Sequence, residues 1–171
     1  MPEDEEGFRY PTVDKDKCIN CHLCEKVCPI IHAEADKPNE KQRAYLLQHK
    51  DKEVLLQSAS GGAFTAIASW VIRHGGVVFG AAYDKDFQVV HQYVETEKDL
   101  QKFRNSKYVQ SFTGDALKQV KDFLKQGRMV CYSGTPCQLE GLLRYLRKPY
   151  DNLITIDVMC HSITSPKIFR M

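Results

Sequence analysis

Residues 129–159 read MVCYSGTPCQLEGLLRYLRKPYDNLITIDVM, and this stretch decides the fold. Met129 to Tyr132 is a short apolar run of the kind that forms a buried strand. Thr135 followed by Pro136 is an N-cap and first-turn pair, the cap alone contributing about 1 kcal/mol. Leu139, Leu142, Leu143 and Leu146 recur at helical spacing and predict a single apolar face. Leu153 to Met159 is a second strand. Strand, helix and strand in so short a span predict a crossover connection and a parallel pair.

The pattern extends upstream. Ser58-Ala59-Ser60-Gly61-Gly62 opens a helix with Phe64, Ile67, Ala68, Val71 and Ile72 on one face, and Gly75-Gly76 ends it. Trp70 on that helix is expected in the core. The apolar run Val77 to Ala82, an Asp84-Lys85-Asp86 turn and the run Phe87 to Val94 predict two strands. Thr113 is expected to cap a helix carrying Leu117, Val120, Phe123 and Leu124, closed by Gly127. Tyr45 to Gln48 and Glu53 to Gln57 are two short candidate strands around a His49-Lys50-Asp51-Lys52 turn. Ser165-Pro166 starts one more helix. Five residues beyond Pro166 are too few to stabilise it alone, so the chain is expected to be cut there.

Near the start, Cys18, Cys21, Cys24 and Cys28 precede Pro29. The spacing C-x2-C-x2-C-x3-C-P is the bacterial 4Fe-4S signature, in which one tight loop presents thiolates to a cubane cluster. Structural zinc sites usually separate two C-x2-C pairs by a dozen or more residues, so a zinc-stapled interaction module is a weaker reading. A disulfide framework fits a secreted mini-domain better than this α/β pattern. In two-cluster ferredoxins the fourth cysteine of the run ligates the other cluster. By that rule Cys18, Cys21 and Cys24 hold one cluster and Cys28 belongs to a second. Two clusters need eight cysteines and the chain has seven. The remaining three, Cys131, Cys137 and Cys160, lie far away.

Composition narrows the class. A chain of 171 residues can bury one good core beside a small module. A net charge of +2 with interspersed signs gives no nucleic-acid footprint. No apolar run is long enough to span a bilayer, and the acidic Met1–Gly7 lacks the basic and apolar regions of a signal peptide. A reducing cytoplasm is the expected location. The expected fold class is α+β. A ferredoxin-type segment with its connector (1–57) precedes an α/β domain (58–171) with a mixed sheet and flanking helices.

Two helix starts, at Ser58–Gly62 and at Ser133-Gly134-Thr135, can converge backbone N–H groups on an anion. Two such sites suit a dinucleotide such as FAD, but glycines at both places equally serve tight turns. Neither loop is a G-x-G-x-x-G or Walker sequence. Cys137 lies in a helix first turn; it can be a cluster ligand, a reactive thiol or packing. Cys160 beside His161 is equally open, and Cys131 in mid-strand is core. His161 and His74 are possible proton donors, with solvated histidines as the plainer alternative. Lys107 and Tyr108 can hold phosphate and a ring, or simply lie at the surface.

Five ordered motifs then resemble one family. They are Ser58-Ala59-Ser60-Gly61-Gly62; Gly75-Gly76-Val77-Val78-Phe79-Gly80-Ala81; Ser106-Lys107-Tyr108-Val109-Gln110-Ser111; Ser133-Gly134-Thr135-Pro136-Cys137-Gln138; and Cys160-His161 with Ser165-Pro166-Lys167. Together they are similar to the coenzyme F420 hydrogenase/dehydrogenase beta-subunit family. The resemblance implies an iron–sulfur flavoprotein oxidoreductase. Electrons would pass between 4Fe-4S clusters, one or two, and FAD, with hydride exchange to F420 or another small acceptor. It makes Ser58, Ser60, Gly61, Gly62, Lys107, Tyr108, Gly134, Thr135 and Pro136 candidate flavin contacts. Cys137 and Cys160 become candidate additional ligands. Partners would be a redox protein or ferredoxin and a small hydride carrier. Glu3-Asp4-Glu5-Glu6-Gly7-Phe8-Arg9-Tyr10-Pro11 resembles the spacer between two cluster motifs, which predicts a second cysteine motif upstream. The family continues well beyond Ser165-Pro166, so this chain is expected to be a fragment. The alternative is a ferredoxin-like electron-transfer module without catalysis of its own.

Overall fold

The structure, a computed structural model, describes residues 2–32 and 41–171. At its centre four strands, β1 (Val77–Tyr83), β2 (Val89–Val94), β3 (Val130–Gly134) and β4 (Leu153–Asp157), pair in the order β2-β1-β3-β4. β1 and β2 form an antiparallel hairpin with Phe79 opposite Tyr93. β1, β3 and β4 are mutually parallel, so the sheet is mixed, as expected for an α+β chain. Central β3 is buried along its whole length, which explains why it reads as an unbroken apolar run.

The helices cover both faces. On one side α3 (Ala63–Arg73) and a 3-10 turn (Glu97–Phe103) pack Ala68, Val71, Leu100 and Phe103 against Val78, Ala82 and Cys131. On the other, α4 (Ala116–Lys125) and α5 (Pro136–Leu146) pack Val120, Leu124, Leu139, Leu142 and Leu146 against Phe79, Val130 and Tyr132. Alternate strand residues therefore serve two cores. Cys131 is core, as expected, and burial pushes its thiol pKa up to about 12.

Among the described residues three short helices remain: α1 (Leu23–Lys26) among the clustered cysteines, α2 (Lys52–Leu56) and α6 (Pro166–Phe169). The two strands expected between 45 and 57 do not form. Tyr45 to Gln48 is irregular, and the second run is α2. Asp51 Oδ1 accepts from the N–H groups of Glu53 and Val54, a helix cap that outweighs the weak alternation of the sequence. The connector residues 33–40 lie outside the described residues.

Several smaller expectations are corrected. Trp70 is 47% exposed and stacks on His74 at 4.4 Å between ring centroids, because α3 turns Ala68 and Val71 inward instead. Leu143 is also 47% exposed; Leu139, Leu142 and Leu146 alone give α5 its buried stripe. The N-cap position of α4 is Asp115 rather than Thr113, and Thr113 contributes its carbonyl to Ala116 N–H. Phe87 belongs to the hairpin turn, with φ of 57°, and β2 starts two residues later.

Candidate functional site

Parallel strands end together. The carboxyl ends of β1, β3 and β4 therefore define one edge of the sheet, where open α/β sheets place ligands. α5 departs from that edge immediately after Gly134. α3 enters β1 through the short His74–Gly76 turn and packs back along it, so its N-terminus points toward the same edge on the opposite face. The topology thus brings Ser58–Gly62 and Gly134–Pro136, distant in sequence, to one end of the sheet.

The two helix starts differ in chemistry. At α5 the N–H of Thr135 donates to Gln138 Oε1 at 3.0 Å, one arm of a capping box. Gly134 is needed here: a Cβ on it would lie 3.1 Å from Gln138 Oε1 and 3.2 Å from Gln138 Cβ. The glycine lets the glutamine fold back over the turn. Thr135 Oγ1 lies 3.2 Å from the exposed Cys137 Sγ, and Pro136 is exposed beside them.

At α3 the chain itself covers the turn. His49 N–H donates to Gly61 carbonyl at 2.7 Å, and a Cβ on Gly61 would sit 2.1 Å from Leu47 carbonyl oxygen. The glycine there allows two backbones to touch. Ser58 Oγ donates to Val54 carbonyl at 2.6 Å, and Ser60 is exposed. Arg104 ties this corner down by donating to Gln57 Oε1 and Thr65 Oγ1.

Lys107 is half-buried. Its ammonium donates to the carbonyls of Lys102, Arg104 and Asn105 at 2.9–3.1 Å, one for each of its three protons. Burial lowers its pKa. In this arrangement Lys107 staples its own loop and offers no free proton to a phosphate. Tyr108 is 71% exposed, and its carbonyl accepts from Thr164 Oγ1 at 2.7 Å. That bond brings the 106–111 loop to the segment after β4, where Cys160 is exposed.

Cys18, Cys21 and Cys24 are exposed and Cys28 is half-buried, all on one loop around α1. Asn20 and His22, between these cysteines, take the left-handed conformation with φ of 51° and 54°, which turns the loop sharply. Among the described residues no three His, Cys, Asp or Glu side chains converge on a ready-made metal site. The donor set nevertheless fits a cluster in number and kind, four thiols within one loop. A cluster would gather them on binding, the usual coupling of metal ligation to local folding.

Both flanks of this loop are anchored to the sheet domain. Glu3 sits between Arg170, at 2.9 Å, and Arg9, at 3.0 Å, and the two hold its carboxyl below the usual range. Glu6 carbonyl accepts from Lys167 N–H and Ser165 Oγ. Arg9 lies over the Phe112 ring at 4.9 Å. A cleft of about 430 Å³ lies between this lead-in, the β1–β2 turn and α6, lined by Arg9, Gln110, Phe112, Phe169 and Arg170 among others. After the cysteines, His32 carbonyl accepts from Arg144 on α5.

Sequence reasoning missed His91, which is buried on β2 and bonded to Ser133 carbonyl and Ser111 Oγ. The available signal was a polar residue at an inward-facing position of an otherwise apolar strand. His74 and His161 are exposed; His74 Nδ1 bonds its own helix, 2.7 Å from Trp70 carbonyl.

A family model described as a 4Fe-4S binding domain matches residues 11–30. Over 136 residues, 75% of its length, the chain is 29% identical to a coenzyme F420-dependent sulfite reductase of Methanocaldococcus jannaschii. It spans about a fifth of that relative, 20% of its length. Its fold matches a chain of the F420-reducing [NiFe] hydrogenase complex from Methanosarcina barkeri with a TM-score of 0.57. That match has 21% identity over 72% of this chain and 45% of the hydrogenase chain. Among the described residues no helix is long and apolar enough to cross a membrane.

Proposed function

We propose that this chain, which belongs with an F420-related iron–sulfur family of oxidoreductases, is the part of such an enzyme that passes electrons between a 4Fe-4S cluster and FAD. The carrying observation is the anchoring of the cysteine loop, through Glu3, Arg9, Arg170 and His32, to a sheet domain whose ligand edge gathers two helix starts. An electron-transfer protein must hold its donor and acceptor at fixed separation, and contacts that tie the cysteine loop to the sheet domain support that reading.

In this reading residues 1–57 are the cluster segment with its connector and 58–171 the flavin-binding part. Cys18, Cys21, Cys24 and Cys28 hold iron, with Cys137 and Cys160 as additional ligands to be tested. The Gly134–Pro136 turn and Tyr108 would hold the flavin, with Ser58, Ser60, Gly61, Gly62 and Lys107 as the other candidate contacts, the last three by shaping backbone. Bound FAD would supply the conversion between two-electron hydride and one-electron cluster chemistry. Hydride exchange with F420 or another small acceptor, and docking to a redox partner protein in the cytoplasm, follow from the same reading.

The covered Ser58–Gly62 turn and the fully engaged Lys107 favour a second reading, an electron-transfer module that holds a cluster and no flavin. Anaerobic purification and reconstitution decide between them. The flavin reading expects iron, sulfide and one FAD per chain, with resolved flavin absorption over the broad iron–sulfur band. Iron and sulfide without retained FAD would establish the second reading, and one zinc with neither would sink both. Cys18→Ser, Cys21→Ser or Cys24→Ser should each strip iron and sulfide.

A further inference from the structure

His91 is 7% exposed, its ring stacked on Tyr132 with centroids 5.1 Å apart and planes 12° apart. Its Nε2 lies 3.2 Å from the Ser133 carbonyl oxygen, which can only accept. Nε2 therefore carries the proton. Burial disfavours the imidazolium, so Nδ1 keeps a lone pair. At 3.0 Å from that lone pair, the Ser111 hydroxyl must donate. Ser111 Oγ in turn accepts from Gln138 Nε2 at 2.7 Å, and Gln138 Oε1 accepts from Thr135 N–H at 3.0 Å.

Every donor and acceptor in this chain of bonds is fixed by its neighbour. The bonds run from Thr135 through Gln138, Ser111 and His91 to Ser133, and so close a ring around Gly134. They join β2, the 106–111 loop and α5 at the ligand edge. All four side-chain links are buried or half-buried, so water does not readily replace a lost one.

We propose that His91, Ser111 and Gln138 are positioning residues: their ring of hydrogen bonds holds the Ser133–Thr135 turn, in register with the Tyr108 loop, in the shape that receives the dinucleotide. This rests on the flavin reading above. It adds that residues touching no cofactor set the affinity for it.

The test uses the full chain, prepared anaerobically, with Ser111→Ala and the conservative Ser111→Thr. Amide hydrogen exchange at Thr135 and FAD affinity by flavin fluorescence titration are measured side by side. Ser111→Ala should speed Thr135 exchange and weaken FAD binding, each by roughly tenfold, the effect of stranding one buried bond. Exchange in the amides of β1 should stay at the wild-type rate, which separates a local loss from global unfolding. Ser111→Thr, which keeps the hydroxyl, should restore both readouts to within about threefold. Gln138→Met breaks the ring from the other side and should give the same pair of changes if Ser111→Ala does not fold. Unchanged Thr135 exchange in the variant that folds overturns the ring. Faster exchange with unchanged FAD affinity overturns its positioning role alone. A wild-type chain that takes up no FAD overturns the flavin reading itself.

Discussion

Tyr132 offers a test of how the core was assembled. Its side chain is fully buried on β3, and among the described residues its hydroxyl is the buried side-chain oxygen without a hydrogen-bond partner. Burial moves the phenol still further from ionisation. The ring is well placed, stacked between Phe79, at 6.0 Å and 28°, and His91, at 5.1 Å and 12°. Tyr132→Phe keeps both stacks and removes only the stranded hydroxyl. Leaving such a group buried costs about 1–3 kcal/mol. The space it vacates is smaller than one residue's methyl group, so at about 24 cal/mol per Å³ the cavity costs well under about 1 kcal/mol. The net expectation is a gain of about 1–2 kcal/mol. For a chain of this size each kcal/mol moves Tm by about 2–4 °C, so a rise of about 2–8 °C is expected. Urea titration followed by circular dichroism should show a higher midpoint with an unchanged slope. A lower midpoint for Tyr132→Phe would refute the reasoning, because it would mean that the hydroxyl contributes a bond.

Other outcomes are equally specific. Leu142→Ala should cost about 2–5 kcal/mol in urea titration, whereas Leu143→Ala, half in solvent one residue away, should cost under about 1 kcal/mol; equal losses would contradict the register of α5. His91 has its pKa lowered from the ordinary 6.5, chiefly by burial, so between the two values the unfolded chain binds the extra proton. Stability should therefore be complete above pH 6.5 and fall as pH drops below it, by at most about 1.4 kcal/mol per pH unit, and His91→Gln should flatten that slope in urea midpoints taken at pH 5.5 and 7.5. The carboxylates of Glu3, Glu97 and Asp99 are held low by Arg170, Arg73 and Thr96 respectively, so their contribution disappears only at more acid pH. Glu3→Gln should accelerate amide exchange in residues 3–9 without altering β3, an effect that salt should mimic, since the clasp is exposed.

The sequence by itself determined the chemistry and most of the architecture. Four cysteines at fixed short intervals name a cluster because ligation within one loop depends on spacing and little else. The strands and long helices were legible because burial imposes a period of two on β2 and of 3.6 on α3, α4 and α5, and an unbroken apolar run on β3. Segments that bury little carried no such period. Glu53–Gln57 read as strand until the Asp51 cap made it helix, and Trp70 read as core although its side of α3 faces solvent. Only the tertiary structure decided which distant residues meet. It set Leu47 against Gly61, clasped Glu3 between Arg9 and Arg170, and engaged Lys107 with its own loop. It also joined His91, Ser111 and Gln138 around Gly134. The physical reason is that a hydrogen bond or close backbone approach requires a geometry good to a few tenths of an ångström between chain-distant partners. Local pattern carries information about burial, and none about that geometry.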